Sequence, residues 1–151
     1  MQQLNLPHYE FKLKMMEEKP YIFDLIRRKY IKLTPEEWVR QNFIQFLITE
    51  KNYPLSKIAL EQEIIINGLK KRCDAVVYSS DVRPLMIIEF KAPEIKINQQ
   101  VFDQIAVYNY KLNVRYLIVS NGIQHIACKT EPLTSSYIFL KELPTYNDLN
   151  S

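Results

Sequence analysis

The clearest hydrophobic periodicity in the chain begins after Thr34. Thr34 is a favourable N-cap, Pro35 occupies the first helical position, and Glu37 stands three residues after the cap in a capping-box pattern. The apolar positions that follow recur at helical spacing and are Val39, Phe43, Phe46 and Leu47. The pattern predicts an amphipathic helix that runs to about Lys51.

Three strand-like runs follow this helix. Residues 60–66 are rich in β-branched side chains and close on Asn67-Gly68, which indicates a hairpin with the next run, 73–78. The third run is 85–91, and Pro93 ends it because proline cannot continue a central strand. We therefore expect three consecutive strands.

The spacing of apolar positions then changes to about 3.6 residues over 98–112, which predicts a second helix. Its expected apolar stripe is Val101, Ile105, Tyr108 and Leu112. Residues 116–120 and 123–128 flank Asn121-Gly122, a pair typical of hairpin turns. Residues 137–140 indicate either a final strand or a short helix.

The predicted order is helix, three strands, helix, two strands, which is an α/β arrangement with a mixed β-sheet core flanked by helices. Before it, residues 11–13 and 21–23 flank the polar stretch 14–20 and predict a hairpin or arm within residues 1–32. A chain of 151 residues, 47% of them hydrophobic, can bury one core, so we expect a single domain over 1–151.

Composition excludes several classes of protein. The two cysteines, Cys73 and Cys128, lie in strand-like runs, which favours a reducing compartment over a disulfide scaffold. No apolar run approaches the roughly 20 residues that cross a bilayer, so we expect a cytoplasmic protein without a membrane segment. The net charge of +3 is weak, and the groups Arg27-Arg28-Lys29 and Lys70-Lys71-Arg72 are either phosphate contacts or solvated loop charges.

The candidate chemistry lies in the acids of the second and third predicted strands. Asp74 opens one run, and Glu89 shares a strand face with Lys91 because successive residues alternate faces. Buried charges usually hold a metal or each other, so Glu89 and Lys91 form either a structural ion pair or part of a metal site. An acid-only pair favours Mg²⁺ or Mn²⁺ over zinc, and such an ion can activate water and neutralise a phosphate.

Asp74 followed by Glu89-Phe90-Lys91 resembles the Asp…Glu-x-Lys motif of the PD-(D/E)XK nuclease superfamily. Five segments in order are similar to the N-terminal nuclease domain of type I restriction enzyme R subunits, and they are 33–41, 72–74, 88–93, 104–108 and 120–122. The resemblance implies a restriction-endonuclease-like fold, Mg²⁺-dependent hydrolysis of DNA, and separate specificity or motor subunits as partners. The alternative is a catalytically silent nucleic-acid-binding or assembly module of the same fold.

The resemblance also implies roles for individual residues. Asp74 and Glu89 correspond to metal ligands, the backbone carbonyl of Phe90 to a further ligand, and Lys91 to the residue that assists catalysis. A glutamate of the first helix commonly completes such a site. For this role we choose Glu37, with Glu36 as the competitor.

Four residues are candidates for binding DNA. Gln104 and Tyr108 match the Gln-x-x-x-Tyr motif of the RecB-like branch, and their spacing puts them on one helix face. Arg72 belongs to the basic group that precedes Asp74. Arg40 is expected near the first-helix acids, either as a DNA contact or as a supporting ion pair.

One departure from the R subunits narrows the expected function. Those large proteins carry an ATP-driven motor, whereas this sequence has two glycines and no Gly-x-x-x-x-Gly-Lys phosphate loop. We therefore expect no ATP hydrolysis and either a free-standing relative or a separately encoded domain.

Overall fold

The computed structural model describes residues 1–131, 133–134 and 136–150. In chain order its elements are β1 (Leu13–Met16), β2 (Lys19–Asp24), β3 (Lys29–Lys32), α1 (Pro35–Glu50), a short 3₁₀ turn (Leu55–Lys57), β4 (Ile58–Ile66), β5 (Leu69–Tyr78), β6 (Pro84–Phe90), α2 (Gln99–Leu112), β7 (Tyr116–Ser120), β8 (His125–Glu131), β9 (Ser136–Phe139) and α3 (Tyr146–Leu149). No helix among these residues is long and apolar enough to cross a bilayer.

The central sheet confirms the predicted α/β class. Its strands lie in the order β4-β5-β6-β7-β8-β9. The β6–β7 pair is parallel and the other neighbours are antiparallel, because α2 carries the chain back across the sheet between these two strands. Residues 137–140, which the sequence left open as a strand or a short helix, lie mostly in strand β9.

The two long helices belong to separate hydrophobic clusters. Val39, Phe43 and Leu47 of α1 are fully buried in the cluster that contains Ile88 and Phe90 of β6. Helix α2 belongs to the cluster that contains Ile87. Because neighbouring strand residues point to opposite faces, the helices cover opposite faces of the sheet.

The buried face of α2 differs from the predicted stripe by about one residue. Its fully buried side chains are Phe102, Ala106, Asn109 and Leu112. The Phe102 ring lies 5.3 Å from Phe139 and 6.2 Å from Tyr137, both on β9. The buried face of α2 therefore includes side chains that contact this edge strand.

The N-terminal region forms a separate three-stranded antiparallel sheet, in the order β1-β2-β3. The polar stretch 14–20, which the sequence places in a hairpin or arm, supplies most of β1 and the start of β2. The hairpin turn contains only Glu17 and Glu18, which both adopt left-handed conformations, with φ of 50° and 63°, as a two-residue hairpin turn requires. Strand β3 was not predicted.

Both Asn-Gly pairs connect paired strands. Asn67 and Gly68, with φ of 52° and 78°, form the predicted two-residue turn. The second pair begins a longer loop, because the Asn121 carboxamide accepts hydrogen bonds from the amides of Ile123 and Gln124. Strand β8 consequently starts at His125 and not at residue 123.

Candidate active site

The candidate site lies where the central strands β5 and β6 separate. Their paired register ends at Ala75 and Ile88, while β6 continues along β7 as far as Phe90. The amide of Phe90 donates to Asp74 Oδ2 at 2.7 Å. The Asp74 side chain thus replaces a backbone partner and is fixed at the opening between the strands.

Asp74 and Glu89 form a partly buried carboxyl pair at this opening. The Glu89 side chain is 13% exposed. Burial, together with the Asp74 charge and a hydrogen bond between the two carboxyls, raises the pKa of Glu89 to about 7 even though Lys71 opposes the shift. The structure therefore brings the two predicted metal ligands within hydrogen-bonding reach of each other.

The cation bonded to Glu89 is Lys71 of β5, and not Lys91 as the ion-pair alternative predicted. Lys71 reaches Glu89 across the gap between the separated strands. Lys91 immediately follows β6, where its amide donates to the Ser120 carbonyl at 2.9 Å. Its charge opposes the rise in the pKa of Glu36, so Lys91 lies close enough to interact with that helix acid.

The predicted first-helix acid, Glu37, is engaged in a local network. Its amide donates to Thr34 Oγ1 at 3.0 Å, as expected of the N-cap. Its carboxylate accepts from Arg27 at 2.8 Å, from Gln41 at 2.8 Å and from Arg40 at 3.2 Å. The reciprocal half of the predicted capping box is absent because these three donors hold the Glu37 side chain.

The neighbouring acid, Glu36, faces the candidate site. Burial and the Asp74 charge raise the pKa of Glu36, while Arg40 and Lys91 oppose the shift. Glu36 is therefore close enough to Asp74 and Lys91 to interact with both. This geometry favours Glu36, the competitor in the sequence prediction, over Glu37 as the helix acid of the site.

Arg40 was expected either as a DNA contact or as a supporting ion pair, and its burial favours the ion pair. The residue is 4% exposed. Its Nη2 lies 2.7 Å from Glu61 Oε1 and 3.9 Å from Asp74 Oδ1, and its guanidinium lies 5.9 Å from the Phe90 ring centroid. Arg40 therefore provides the supporting ion pair that the sequence left as the alternative.

Sequence analysis missed Glu61. Its carboxylate lies between Arg40 and Arg72, whose Nε donates at 3.1 Å. Glu61 has a φ of 51° in the middle of β4, a conformation that residues other than glycine rarely adopt. Its position in an apolar strand-like run gave no sign of this contact. The Arg72 side chain is 65% exposed, so its predicted DNA contact stays open.

Tyr108 of the Gln-x-x-x-Tyr motif borders the site. Its hydroxyl donates to the Lys70 carbonyl at 2.8 Å, and its ring centroid lies 5.5 Å from the Lys71 ammonium. Tyr108 thus contacts the lysine that pairs with Glu89. Gln104 is exposed one turn earlier on α2, and its role remains a prediction.

A mixed sheet flanked by helices, with acids gathered where two central strands separate, is a nuclease-like α/β fold. The family model for the type I restriction enzyme R protein N terminus (HSDR_N) matches residues 35–144. The chain belongs to this family.

Two solved structures resemble the chain at low sequence identity. A fragment of a candidate HsdR subunit of a type I restriction enzyme from Vibrio vulnificus YJ016 has a TM-score of 0.53 and 18% identity, over 78% of this chain and 25% of that one. A candidate nuclease of DUF820 from Anabaena variabilis ATCC 29413 has a TM-score of 0.49 and 12% identity, over 96% of this chain and 87% of that one.

This chain thus spans about a quarter of the HsdR fragment, and at these identities the likeness concerns the fold alone. No curated protein matches the sequence significantly.

Proposed function

We propose that the chain is a metal-dependent nuclease module that hydrolyses phosphodiester bonds of DNA. The observation that carries the proposal is the Asp74–Glu89 pair, in which two partly buried carboxyls lie together, and their burial and mutual repulsion raise the pKa of Glu89. Such an arrangement is stabilised by a positive ion. Membership of the restriction enzyme R N-terminal family supports the reaction class.

The donor set at the opening suits a hard divalent cation. One oxygen of Asp74 accepts from Phe90 and one oxygen of Glu89 accepts from Lys71, so an ion would use the second oxygen of each carboxylate. The Phe90 carbonyl is the proposed third ligand. Among the described residues no group of three or more acidic, histidine or cysteine side chains forms a metal centre by itself. Mg²⁺ and Mn²⁺ can bind with so few protein ligands because they keep several water molecules as ligands.

The residues around the acids would each contribute to hydrolysis. The bound ion would supply charge neutralisation and a more acidic water. Lys91 would stabilise the negative charge that develops on the phosphate as water adds and a P–O bond breaks. Glu36 is close enough to Lys91 for their charges to interact, and its carboxylate would accept a proton from the water.

DNA would lie along the rim of this opening. Tyr108 and Arg72 border it, and Gln104 extends the same face of α2. Sequence-specific or processive action would require separate specificity or motor subunits, as the family name suggests. These partners are part of the proposal.

The second candidate function is a catalytically silent nucleic-acid-binding or assembly module. The observation that favours it is that a cation of the chain already lies near each of the two acids. Lys71 is bonded to Glu89, and Arg40 lies 3.9 Å from Asp74. This candidate requires that Lys71 stay bonded to Glu89 when divalent cations are present.

Cleavage assays separate the two functions. Purified protein would be incubated with supercoiled, linear and single-stranded DNA, with Mg²⁺, Mn²⁺ or EDTA. We expect cleavage that requires a divalent ion and falls roughly 100- to 1000-fold in Asp74→Asn and in Lys91→Met. Asparagine keeps an acceptor for the Phe90 amide, so the fold should be preserved.

The matched control is Glu63→Gln, because Glu63 is a half-exposed acid on β4 whose partner is the surface residue Lys70. This variant should cleave at the wild-type rate. Cleavage that persists in EDTA, or at an unchanged rate in Asp74→Asn, would refute the proposed mechanism.

A further inference from the structure

One face of the N-terminal sheet combines aromatic rings with lysines. In the strand register Lys14 stands opposite Tyr21, and Tyr21 opposite Lys32. Phe23 stands opposite Tyr30 in the same sheet, on the same face as Tyr21. The residues of this aromatic-basic face are Lys12, Lys14, Tyr21, Phe23, Tyr30 and Lys32.

The rings and ammonium groups are in contact with one another. The Phe23 and Tyr30 rings meet edge to face, with centroids 5.2 Å apart. The Lys14 ammonium lies 5.0 Å from the Tyr30 centroid, and the Lys12 ammonium lies 5.9 Å from the Phe23 centroid. The face is therefore a continuous surface of rings flanked by positive charges.

The core of the protein does not require these rings. The opposite face of the small sheet supplies the buried contact, with Ile22 fully buried. The three rings are only half-buried, and the three lysines are exposed. The acids Glu17 and Glu18 lie at the tip of the β1–β2 turn and not among the rings.

We infer that the aromatic-basic face binds single-stranded nucleic acid. Aromatic rings stack on the faces of unpaired bases, and lysines neutralise the phosphates between them. Paired bases are already stacked inside a duplex and cannot use such rings. The combination therefore selects single strands over duplexes, whereas lysines alone would attract any polyanion.

The position of the aromatic-basic face would direct a bound strand toward the candidate active site. Arg27, in the β2–β3 turn, is bonded to Glu37 of α1, so the small sheet is fixed to the helix that carries Glu36. Lys32 precedes Glu36 by four residues. A strand held on this face would consequently leave it close to the start of α1, near the candidate site.

The inference is independent of catalysis and of the family assignment. The face lies entirely within residues 12–32, whereas the family match begins at residue 35. Binding can be measured in EDTA, where no metal-dependent cleavage occurs. It should also persist in Asp74→Asn, so failure of the nuclease proposal and failure of this one give different results.

The test is fluorescence anisotropy with a labelled oligothymidylate of about 20 nucleotides and with a duplex of the same length. We expect wild-type protein to bind the single strand at least about tenfold more tightly than the duplex. The double variant Lys14→Gln/Lys32→Gln should weaken single-strand binding about tenfold. Its slope of log affinity against log salt should fall by about 1.4, the value for two lost phosphate contacts.

The ring contribution is tested by Phe23→Leu, which keeps an apolar side chain and the charge. We expect binding to weaken about fivefold with the salt slope unchanged, as loss of one stacking contact predicts. The double variant Lys111→Gln/Lys141→Gln is the matched control, since both of these exposed lysines lie outside the small sheet. Circular dichroism would establish that each variant is folded.

Three results would overturn the inference. The first is equal affinity of the wild type for single strand and duplex. The second is an equal loss of binding in the two lysine pairs, which would indicate general attraction of a polyanion. The third is a folded Phe23→Leu variant that binds as tightly as the wild type. If the Phe23→Leu variant does not fold, the comparison between the two double lysine variants tests the inference.

Discussion

Two groups of acids lie side by side in this protein and differ in how their charge is balanced. Around Glu37, the carboxylate oxygens are bonded to Arg27, Arg40 and Gln41. Asp24 belongs to the same group, and although burial raises its pKa, the bonds from Arg27 lower that pKa overall. The ion pairs between these acids and the arginines stabilise the fold.

The group formed by Asp74, Glu89 and Glu36 has the opposite character. Burial and the Asp74 charge raise the pKa of both glutamates. These acids destabilise one another, and Lys71 offsets this only in part. The difference separates acids held by fixed cations from the acids to which the proposed function assigns a metal and a substrate.

The largest effect on stability is expected from Arg40→Met. This change leaves Glu37 and Glu61 buried or half-buried without their shared cation, so we expect the free energy of unfolding to fall by about 3–5 kcal/mol. Urea denaturation measures it. Arg72→Met is the control, because its 65% exposed side chain should contribute under about 1 kcal/mol. Equal losses would contradict the assignment of Arg40 as a structural cation.

The second-largest expected effect on stability is stabilisation of the folded protein by Mg²⁺. At a concentration about 100 times its dissociation constant, the ion should raise the free energy of unfolding by about 2.7 kcal/mol. The gain should vanish in Asp74→Asn and persist in Glu37→Gln, because only Asp74 belongs to the group with excess negative charge. Thermal unfolding with and without Mg²⁺ measures both. A gain of the same size in Asp74→Asn would place the ion elsewhere.

The excess charge also predicts how stability depends on pH. The pKa of Glu89 rises from 4.5 to about 7 on folding, so the folded state binds the proton more tightly than the unfolded chain. Without metal, this stabilisation is complete below pH 4.5 and should be lost as the pH rises to about 7. The difference between wild type and Glu89→Gln, followed by thermal unfolding, isolates the effect. A difference that does not change over this range would show that Glu89 is not perturbed.

The smallest effects on stability are expected from substitutions of the two neighbouring glutamates of α1. These substitutions also test which of the two glutamates belongs to the candidate site. Glu36→Gln should reduce cleavage with little loss of stability, since Glu36 is destabilised by Asp74. Glu37→Gln should lower stability by about 1–2 kcal/mol and leave cleavage largely intact, because its contacts are structural. The reverse pattern would restore Glu37 as the site acid.

Much of the fold follows from local sequence signals. Thr34 and Pro35 predict the start of α1, Asn67-Gly68 predicts the β4–β5 hairpin, and the change of period predicts α2. The order of these elements indicates the mixed sheet. These features depend on neighbouring residues, which is why a single sequence contains them.

The details of the site depend on contacts between distant residues and could not be read in the same way. Strand alternation groups Glu89 with Lys91, but it does not reveal that the side chain bonded to Glu89 is Lys71, eighteen positions earlier. Likewise the capping pattern points to Glu37, while the donors that hold its side chain include Arg27 from the β2–β3 turn. Side-chain reach across the fold decides such pairings.

The central claim is that the Asp74–Glu89 pair is a divalent cation site. The most direct measurement is titration of the protein with Mn²⁺, followed by the loss of the free-ion signal in electron paramagnetic resonance. We predict a saturable site in the wild type that is retained in Glu37→Gln and abolished in Asp74→Asn. Absence of binding in the wild type, or equal binding in Asp74→Asn, would contradict the claim.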